Sequence, residues 1–237
     1  MQLKNKTIIL TGASSGLGKA LAIALVAKGA KVYGIARRLE KLEELHSQLG
    51  DLFIPINLDI TQENQIKDWV AANFNQDNIP DVLINNAGLG SFHKIDEMDS
   101  KTWLDIINVN LNGMFYLTAA VAKLLKQKNE HSHIVNIGSI LGKVGRVDAS
   151  AYCTAKFGLQ GFSEALRMEL RPYKVKLTCV NPGSIETDFL QSSGIQAHSN
   201  MLHPDDLAQT IIHILETPDN MQIDDITIRP LDPRTPH

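Results

Sequence analysis

Apolar residues follow two alternating patterns along the chain. Short runs rich in Ile, Val and Leu are separated by longer stretches whose apolar residues recur at helical spacing. The runs predict seven strands, at residues 7–11, 31–36, 52–58, 81–85, 133–138, 175–180 and 223–228. The longer stretches predict helices at residues 16–28, 39–49, 61–74, about 100–128, 149–170 and 204–216, with Thr61 as a possible cap.

Strict alternation of strands and helices is typical of one fold class. It predicts an α/β protein with a doubly wound parallel sheet of the Rossmann type and helices on both faces. Ligands of such sheets bind beyond the carboxyl ends of the strands, near the point where the strand order reverses. Chemistry is therefore expected just after these strand ends: Thr11, Ala36, Leu58, Asn85, Gly138 and Asn181.

Composition removes several other classes of protein. The 237 residues are 43% apolar and carry a net charge of -3 without a basic block, so we expect neither disorder nor nucleic-acid binding. The longest apolar run, residues 20–27, is too short to cross a bilayer. Two cysteines and no evident signal peptide suggest a cytoplasmic protein. The length allows one domain or at most two small ones, and the motifs described below, which run from Thr11 to Thr187, favour one catalytic domain over residues 1–237. The histidines show no metal-ligand spacing, so no metal site is expected.

A glycine- and serine-rich turn follows the first strand. Its glycines permit positive φ angles and close approach of a phosphate, and the following helix offers free N–H groups at its N-terminus. The pattern is Gly-x3-Gly-x-Gly, and an ordinary tight turn is the alternative to a nucleotide site. The predicted cofactor contacts in this turn are Gly12, Ser14, Ser15, Gly16, Leu17 and Gly18.

Further motifs occur in a fixed order after this turn. Asn85-Asn86-Ala87-Gly88 follows strand four, Asn110 lies on the long helix, and Ser139 precedes Tyr152-x3-Lys156. Asn181-Pro182-Gly183 with Thr187 follows strand six. Together with Thr11-Gly12-x3-Gly16-x-Gly18, this series resembles the short-chain dehydrogenases/reductases.

The resemblance implies roles for several residues around a bound dinucleotide. Asp59 and Ile60 would lie at the adenine ring, and Asn86, Ala87 and Gly88 at the adenosine ribose. Pro182, Gly183 and Ile185 would flank the nicotinamide, and Thr187 would bond its carboxamide. The resemblance also implies a homodimer or homotetramer formed through the helices at 100–128 and 149–170.

The end of strand two bears on the choice of cofactor. In dinucleotide folds an acidic residue there binds the ribose 2′-hydroxyl, whereas an arginine accommodates a 2′-phosphate. This chain has Arg37 and Arg38 and no acid at that point. We therefore predict NADP(H), with Arg37 as the main contact. The alternative is that Arg37 and Arg38, the second above all, are solvated surface charges.

Four residues form the predicted catalytic group. Tyr152 and Lys156 lie four positions apart, on one face of a helix, where an ammonium would lower the phenol pKa and enable acid–base catalysis. Ser139 would bond the substrate oxygen. The resemblance implies that Lys156 also binds the nicotinamide ribose and that Asn110 holds a proton-relaying water. The alternatives are surface packing for Tyr152 and Lys156, a simple turn role for Ser139, and bonding within its own helix for Asn110.

The predicted activity is NADP(H)-dependent interconversion of a small ketone or aldehyde and an alcohol. Its substrate would contact Ser139, Leu141 and Tyr152, beneath a lid at about residues 188–203. Further pocket candidates are apolar: Leu89, Phe92, Ile140, Val144, Ile185, Phe189 and Leu190. Arg146 is a candidate to meet a carboxylate, ordinary solvation being the alternative. The alternative functions are reduction of a 3-oxoacyl thioester and non-catalytic NADP(H) sensing.

Overall fold

Seven parallel strands form one sheet in the computed structural model, which describes residues 1–187 and 200–231. The strands are β1 (Thr7–Thr11), β2 (Lys31–Ala36), β3 (Phe53–Asn57), β4 (Val82–Asn85), β5 (Ser132–Ile137), β6 (Val175–Pro182) and β7 (Asp225–Ile228). Their order is β3-β2-β1-β4-β5-β6-β7, and every neighbouring pair is parallel. The order reverses between β1 and β4, which is where a ligand is expected in such a sheet.

Helices cover both faces of the sheet. They are α1 (Gly16–Ala27), α2 (Leu39–Leu49), α3 (Glu63–Asn73), α4 (Ser100–Ile107), α5 (Gly113–Leu125), α6 (Ser150–Leu170) and α7 (Pro204–Leu215). Successive β1 side chains alternate between two cores: Ile8 and Leu10 pack in the core with α1, α2 and α7, and Ile9 packs in the core with α3 and α5. The predicted fold class is confirmed, including its seven strands.

The predicted helix at 100–128 is interrupted in the structure. Between α4 and α5 the chain widens into a π-helical segment, Asn108–Asn112, and α5 ends at Leu125. π-Helical segments inside helices occur frequently at functional sites. Here the segment coincides with Asn110, one of the predicted catalytic residues.

Thr61 does not cap α3, so that prediction is wrong. The helix begins at Glu63, after Gln62, and the Thr61 hydroxyl donates instead to Asp59 Oδ1 at 2.9 Å. Because the Thr61 hydroxyl bonds Asp59, it does not cap the helix. Among residues 1–187 and 200–231, no helix is long and apolar enough to cross a membrane.

Candidate active site

A cavity of about 430 Å³ follows the carboxyl edge of the sheet. It begins at the turn between β1 and α1 and ends at Tyr152 on α6. All of the predicted cofactor residues line it: Gly12, Ser14, Ser15, Gly16, Leu17, Gly18, Arg37, Arg38, Asp59, Ile60, Asn86, Ala87, Gly88, Tyr152, Lys156, Pro182, Gly183, Ile185 and Thr187. The fold therefore brings together residues that lie up to 175 positions apart in the chain.

The turn after β1 accepts only glycine at key positions. Gly12 and Gly16 have φ angles of 70° and 51°, a region that other residues rarely adopt. A Cβ on Gly18 would lie 2.0 Å from the Gly12 carbonyl oxygen, and one on Gly16 would lie 2.9 Å from Thr187 Cγ2. The backbone is thus packed tightly at the start of α1, whose first turn contains no acidic residue. This is the arrangement that a helix N-terminus offers to a phosphate.

The Thr11 hydroxyl joins this turn to the end of β4. Its Oγ1 accepts from the backbone N–H groups of Asn86 and Ala87, each at 3.0 Å. The Asn86 side chain in turn donates to the Thr11 carbonyl at 3.0 Å. These bonds hold two neighbouring strand ends together at the point of order reversal. The sequence analysis used Thr11 only as part of a motif and missed this role.

The two arginines after β2 differ in the structure. The Arg38 guanidinium donates to Ser14 Oγ at 3.0 Å and to Ser15 Oγ at 2.7 Å, beside the glycine turn. Arg37 also lines the cavity, and its backbone carbonyl accepts a hydrogen bond from the Asn57 side chain. Arg38 is exposed, as the surface-charge interpretation expects, and two serine hydroxyls also hold its guanidinium beside the glycine turn.

Asp59 and Ile60 form another part of the cavity wall. Asp59 Oδ1 accepts from the backbone N–H and the hydroxyl of Thr61, each at 2.9 Å, which fixes the carboxylate in a local turn. Ile60 is buried against α5, where a Cβ on Gly113 would lie 2.8 Å from the Ile60 carbonyl oxygen. Both residues line the cavity, and their place at the adenine ring stays a prediction.

Tyr152 and Lys156 lie one turn apart on α6 and are both buried, with 7% and 4% of their surface exposed. Lys156 Nζ donates to the carbonyl of Ile137 at 2.9 Å and lies 5.6 Å from the centre of the Tyr152 ring. Burial lowers the pKa of Lys156 to about 8. Burial raises the pKa of Tyr152 to about 12, although a hydrogen bond with Ser139 acts in the opposite direction.

The expected lowering of the Tyr152 pKa by Lys156 is therefore wrong for this structure. The physical reason is the loss of hydration at a buried position, which raises the pKa of Tyr152 more than the hydrogen bond with Ser139 lowers it. Tyr152 is consequently a neutral phenol at neutral pH. That state suits donation of a proton to a substrate oxygen.

Ser139 lies just beyond β5 and has two structural partners. Its Oγ accepts from the backbone N–H of Leu141 at 3.1 Å, which caps the 3₁₀ turn Ile140–Gly142. Its backbone N–H donates to Asn181 Oδ1 at 3.2 Å. The turn interpretation and the catalytic one thus both fit Ser139, because its hydroxyl also bonds Tyr152.

Asn181 is a positioning residue that the sequence analysis missed. Besides the Ser139 bond, its Oδ1 accepts from Gln160 on α6, and its Nδ2 donates to Asp225 on β7 at 2.6 Å. Asn181 was quoted only as a motif residue. Its position at the end of β6 could have indicated this role, because the ends of neighbouring strands bring polar side chains together.

The Asn110 side chain bonds backbone groups and not Lys156. Its Nδ2 donates to the carbonyls of Leu89 and Ile106, at 2.8 and 2.9 Å, and its Oδ1 accepts from the Leu89 N–H at 3.3 Å. The residue is 1% exposed. The bond to Ile106 is the one within its own helix that the alternative interpretation predicts. The bonds to Leu89 also anchor the loop after β4. The relay role stays a prediction.

The loop after β6 closes the other side of the cavity. Gly183 N–H donates to the Ile228 carbonyl at 2.7 Å, and Ile185 pairs with Leu202. Of the apolar pocket candidates, four line the cavity: Phe92, Ile140, Leu141 and Ile185. Leu89 packs in the cluster around Tyr152, and Val144 is exposed. Phe189, Leu190 and the lid residues 188–199 lie outside the described residues.

The residues that the structure describes contain no group of three or more His, Cys, Asp or Glu able to hold a metal ion. The polar side chains of the site are mainly hydroxyls, an amine and guanidiniums, together with the Asp59 carboxylate and the Asn86 amide. This donor set suits a phosphate-bearing organic cofactor and a carbonyl or alcohol oxygen.

Comparisons with known proteins agree with this arrangement. Residues 6–197 match the family model described as short chain dehydrogenase. The chain is 32% identical over 248 residues to Dehydrogenase/reductase SDR family member 11 of Bos taurus, covering 96% of each chain. It is 34% identical over 245 residues to the NADP-dependent 3-hydroxy acid dehydrogenase of Schizosaccharomyces pombe, covering 97% of this chain and 94% of that protein.

A solved structure extends the likeness to three dimensions. The closed form of serine dehydrogenase complexed with NADP+ superposes with a TM-score of 0.88 at 27% identity, covering 93% of each chain. Motifs, fold and relatives thus agree over most of the chain. The chain belongs to the short-chain dehydrogenase/reductase family of oxidoreductases, as its motif series predicted.

Proposed function

We propose that the protein is an NADP(H)-dependent oxidoreductase that interconverts a small ketone or aldehyde and an alcohol. One observation carries this proposal: Ser139, Tyr152 and Lys156 form one end of a cavity whose other end is the glycine turn with Arg38. The cavity therefore joins a proton donor to a phosphate-binding backbone. A substrate oxygen at Tyr152 and a dinucleotide along the strand ends fit in the same space.

The residues fit a dinucleotide that carries an extra phosphate. The glycine turn leaves no room for a Cβ, as expected where backbone approaches a pyrophosphate. Ser14, Ser15 and Arg38 place two hydroxyls and a guanidinium side by side, which suits a ribose 2′-phosphate. The names of the Schizosaccharomyces pombe relative and of the solved serine dehydrogenase also include NADP. In this proposal Arg38, ranked second by the sequence, is the principal phosphate contact.

The chain's own residues supply proton transfer and orientation. The Ser139 hydroxyl holds the substrate oxygen beside Tyr152 and stabilises the negative charge that develops on it. Tyr152, kept protonated by burial, gives its proton to that oxygen. Lys156 stabilises the phenolate left behind, because its ammonium lies over the Tyr152 ring. The bound nicotinamide supplies the hydride, or accepts it in the reverse direction.

The experiment is a substrate panel with purified protein. Small aldehydes, ketones, diketones, oxo acids and acyl thioesters are each mixed with NADPH or NADH, and consumption of the reduced cofactor is followed by absorbance. We expect turnover of small carbonyl compounds with NADPH preferred. Turnover of acyl thioesters alone would favour the 3-oxoacyl reductase alternative. Tight NADPH binding with no turnover of any compound would favour the sensing alternative and contradict the proposal.

We also propose that the chain assembles as a homodimer or homotetramer. Phe115 on α5 and Phe157 on α6 are each 46% exposed, on the two helices that the family resemblance assigned to subunit contacts. Burial of such aromatic side chains favours association. Sedimentation analysis would show a single monomeric species if this proposal were wrong.

A further inference from the structure

Arg146 lies in the part of the cavity where the substrate is proposed to bind, beside Tyr152. Arg146 lines the cavity together with Phe92, Leu141 and Tyr152. Its guanidinium carbon lies 5.0 Å from the centre of the Phe92 ring, and that ring packs edge to face against the Tyr152 ring at 5.7 Å. One aromatic ring therefore separates a permanent positive charge from the proposed proton donor.

The Arg146 charge has no acidic partner in the part of the chain that the structure describes. Within residues 1–187 and 200–231, the guanidinium makes the ring contact with Phe92 but no hydrogen bond or ion pair. Asp59 is the one acidic residue lining the cavity there, and it is at the opposite end. Glu186, on the loop after β6, instead lies 3.5 Å from His203. Arg146 is exposed and lines the cavity, so its N–H groups are available to an anion that enters the pocket.

The backbone holds Arg146 in this position. The Arg146 carbonyl accepts from the Ala149 N–H at 3.3 Å, which forms a turn before α6. Asp148 lies in the same turn, and its backbone carbonyl accepts from the His93 N–H at 2.7 Å. That bond joins the segment carrying Phe92 to the segment carrying Arg146. The ring and the guanidinium are therefore placed against each other by two connected loops.

A guanidinium on an aromatic face still presents its N–H edge. Stacking engages the π face of the planar group, so the edge can bond both oxygens of a carboxylate. An anion at this edge would be within reach of a carbonyl at Tyr152 if both belonged to one small molecule. The apolar Leu141 and Ile185 in the same wall would contact its carbon chain.

We propose that Arg146 binds the carboxylate of the substrate, and that the enzyme acts on short oxo acids and the corresponding hydroxy acids. This inference rests on the proposed function. In the forward direction the ketone carbon accepts a hydride from NADPH and its oxygen accepts the Tyr152 proton, which yields a hydroxy acid and NADP+. Arg146 bonds the carboxylate throughout and takes no part in the transfer.

The test compares an acid with its neutral ester. Reduction of 3-oxobutanoate and of methyl 3-oxobutanoate by NADPH is measured for the parent and for Arg146→Met, Arg146→Lys and Arg171→Met. We expect the parent to favour the acid at least tenfold in kcat/KM, and Arg146→Met to reduce that preference by about 10- to 100-fold, chiefly through KM. Lysine should restore part of the preference, because it keeps the charge without the planar fork.

Arg171→Met is the matched control, because Arg171 is an exposed arginine in the turn after α6 and does not line the cavity. It should leave the acid-to-ester ratio unchanged. Equal use of acid and ester by the parent, or an Arg146→Met variant with an unaltered ratio, would overturn the inference while leaving the proposed function standing. A parent that binds NADPH but reduces no carbonyl compound would refute both. A comparison of oxo acids with the ketone at positions 2, 3 and 4 then defines the preferred distance between the substrate carboxylate and the reacting carbon.

Discussion

The two ends of the cavity hold their functional groups in different ways. At the catalytic end Tyr152 and Lys156 are enclosed by protein, and burial shifts both of their pKa values. At the opposite end Arg38 is exposed and is held by two serine hydroxyls. The catalytic end is therefore shaped by packing and the phosphate end by polar bonds near water. Substitutions at the first should change chemistry and stability, and those at the second should change cofactor affinity.

The largest expected effect is at the catalytic end. Tyr152→Phe keeps the ring, its contact with Phe92 and its packing, but it removes the proton donor. We expect kcat to fall by about 10³-fold, within the usual range for a lost general acid. NADPH affinity should change less than about twofold, since the phosphate end is untouched. Turnover and calorimetric binding of NADPH measure the two quantities.

Tyr173→Phe serves as the control for this substitution. Tyr173 is partly exposed, lies beyond the end of α6 and does not line the cavity. Its variant should retain full turnover. If Tyr152→Phe also retained it, the assignment of Tyr152 as the proton donor would be refuted.

An intermediate effect is expected at the phosphate end. Arg38→Ala removes the guanidinium that Ser14 and Ser15 hold, so NADPH affinity should fall by about 10- to 100-fold. NADH affinity should stay nearly constant because that cofactor lacks the 2′-phosphate. Titration of both cofactors by fluorescence measures the difference.

Arg37→Ala is the matched variant for the neighbouring arginine. Its guanidinium contacts no serine within residues 1–187 and 200–231, so we expect a smaller loss of NADPH affinity, about threefold or less. A larger loss for Arg37→Ala than for Arg38→Ala would restore the ranking that the sequence suggested. Equal losses of NADH and NADPH would contradict a 2′-phosphate role for either residue.

The effect that touches activity least concerns the pH dependence of stability. The pKa of Lys156 is lowered to about 8 from its ordinary value of 10.5, so the unfolded chain binds more protons than the folded chain between these two values. The free energy of unfolding should therefore rise with pH across that window, by about 3 kcal/mol from this group. Below pH 8 the full cost of burying the ammonium is present.

Comparison with Lys156→Met isolates this contribution. The variant lacks the titrating group, so urea unfolding of both proteins at several pH values should show the parent gaining stability relative to the variant above pH 8. A difference that stays constant with pH would mean that Lys156 keeps an ordinary pKa in the folded protein. The catalytic end would then be more hydrated than its burial indicates.

The contrast also explains which parts of the site could be predicted from the sequence. Tyr152, Lys156 and Ser139 were assigned from the motif series that resembles the short-chain dehydrogenases/reductases, and helix spacing and strand-end position agreed with that assignment. The split of the predicted helix at 100–128 was not foreseen. The π-helical segment depends on bonds from Asn110 to Leu89 and Ile106, and the Leu89 partner lies on a different loop.

Long-range polar bonds were the main features that sequence reasoning could not reach. The Asn181 bonds to Ser139, Gln160 and Asp225 join β6 to β5, α6 and β7. Gln160 and Asp225 are polar and unremarkable in their own segments. Only the register of the sheet brings them together, with Asn181 opposite Thr227 on β7 and Val180 opposite Ile137 on β5.

The alternation of strands and helices and the expected place of the site at the carboxyl edge could be predicted from local periodicity and residue type, which act over a few positions. The candidate chemical residues came from the motif series and its family resemblance. The contact of Arg38 with the glycine turn, the raised pKa of Tyr152 and the position of Arg146 over Phe92 emerge only in the folded protein. Those properties depend on burial and on side-chain contacts between distant segments, which periodicity along the chain does not encode.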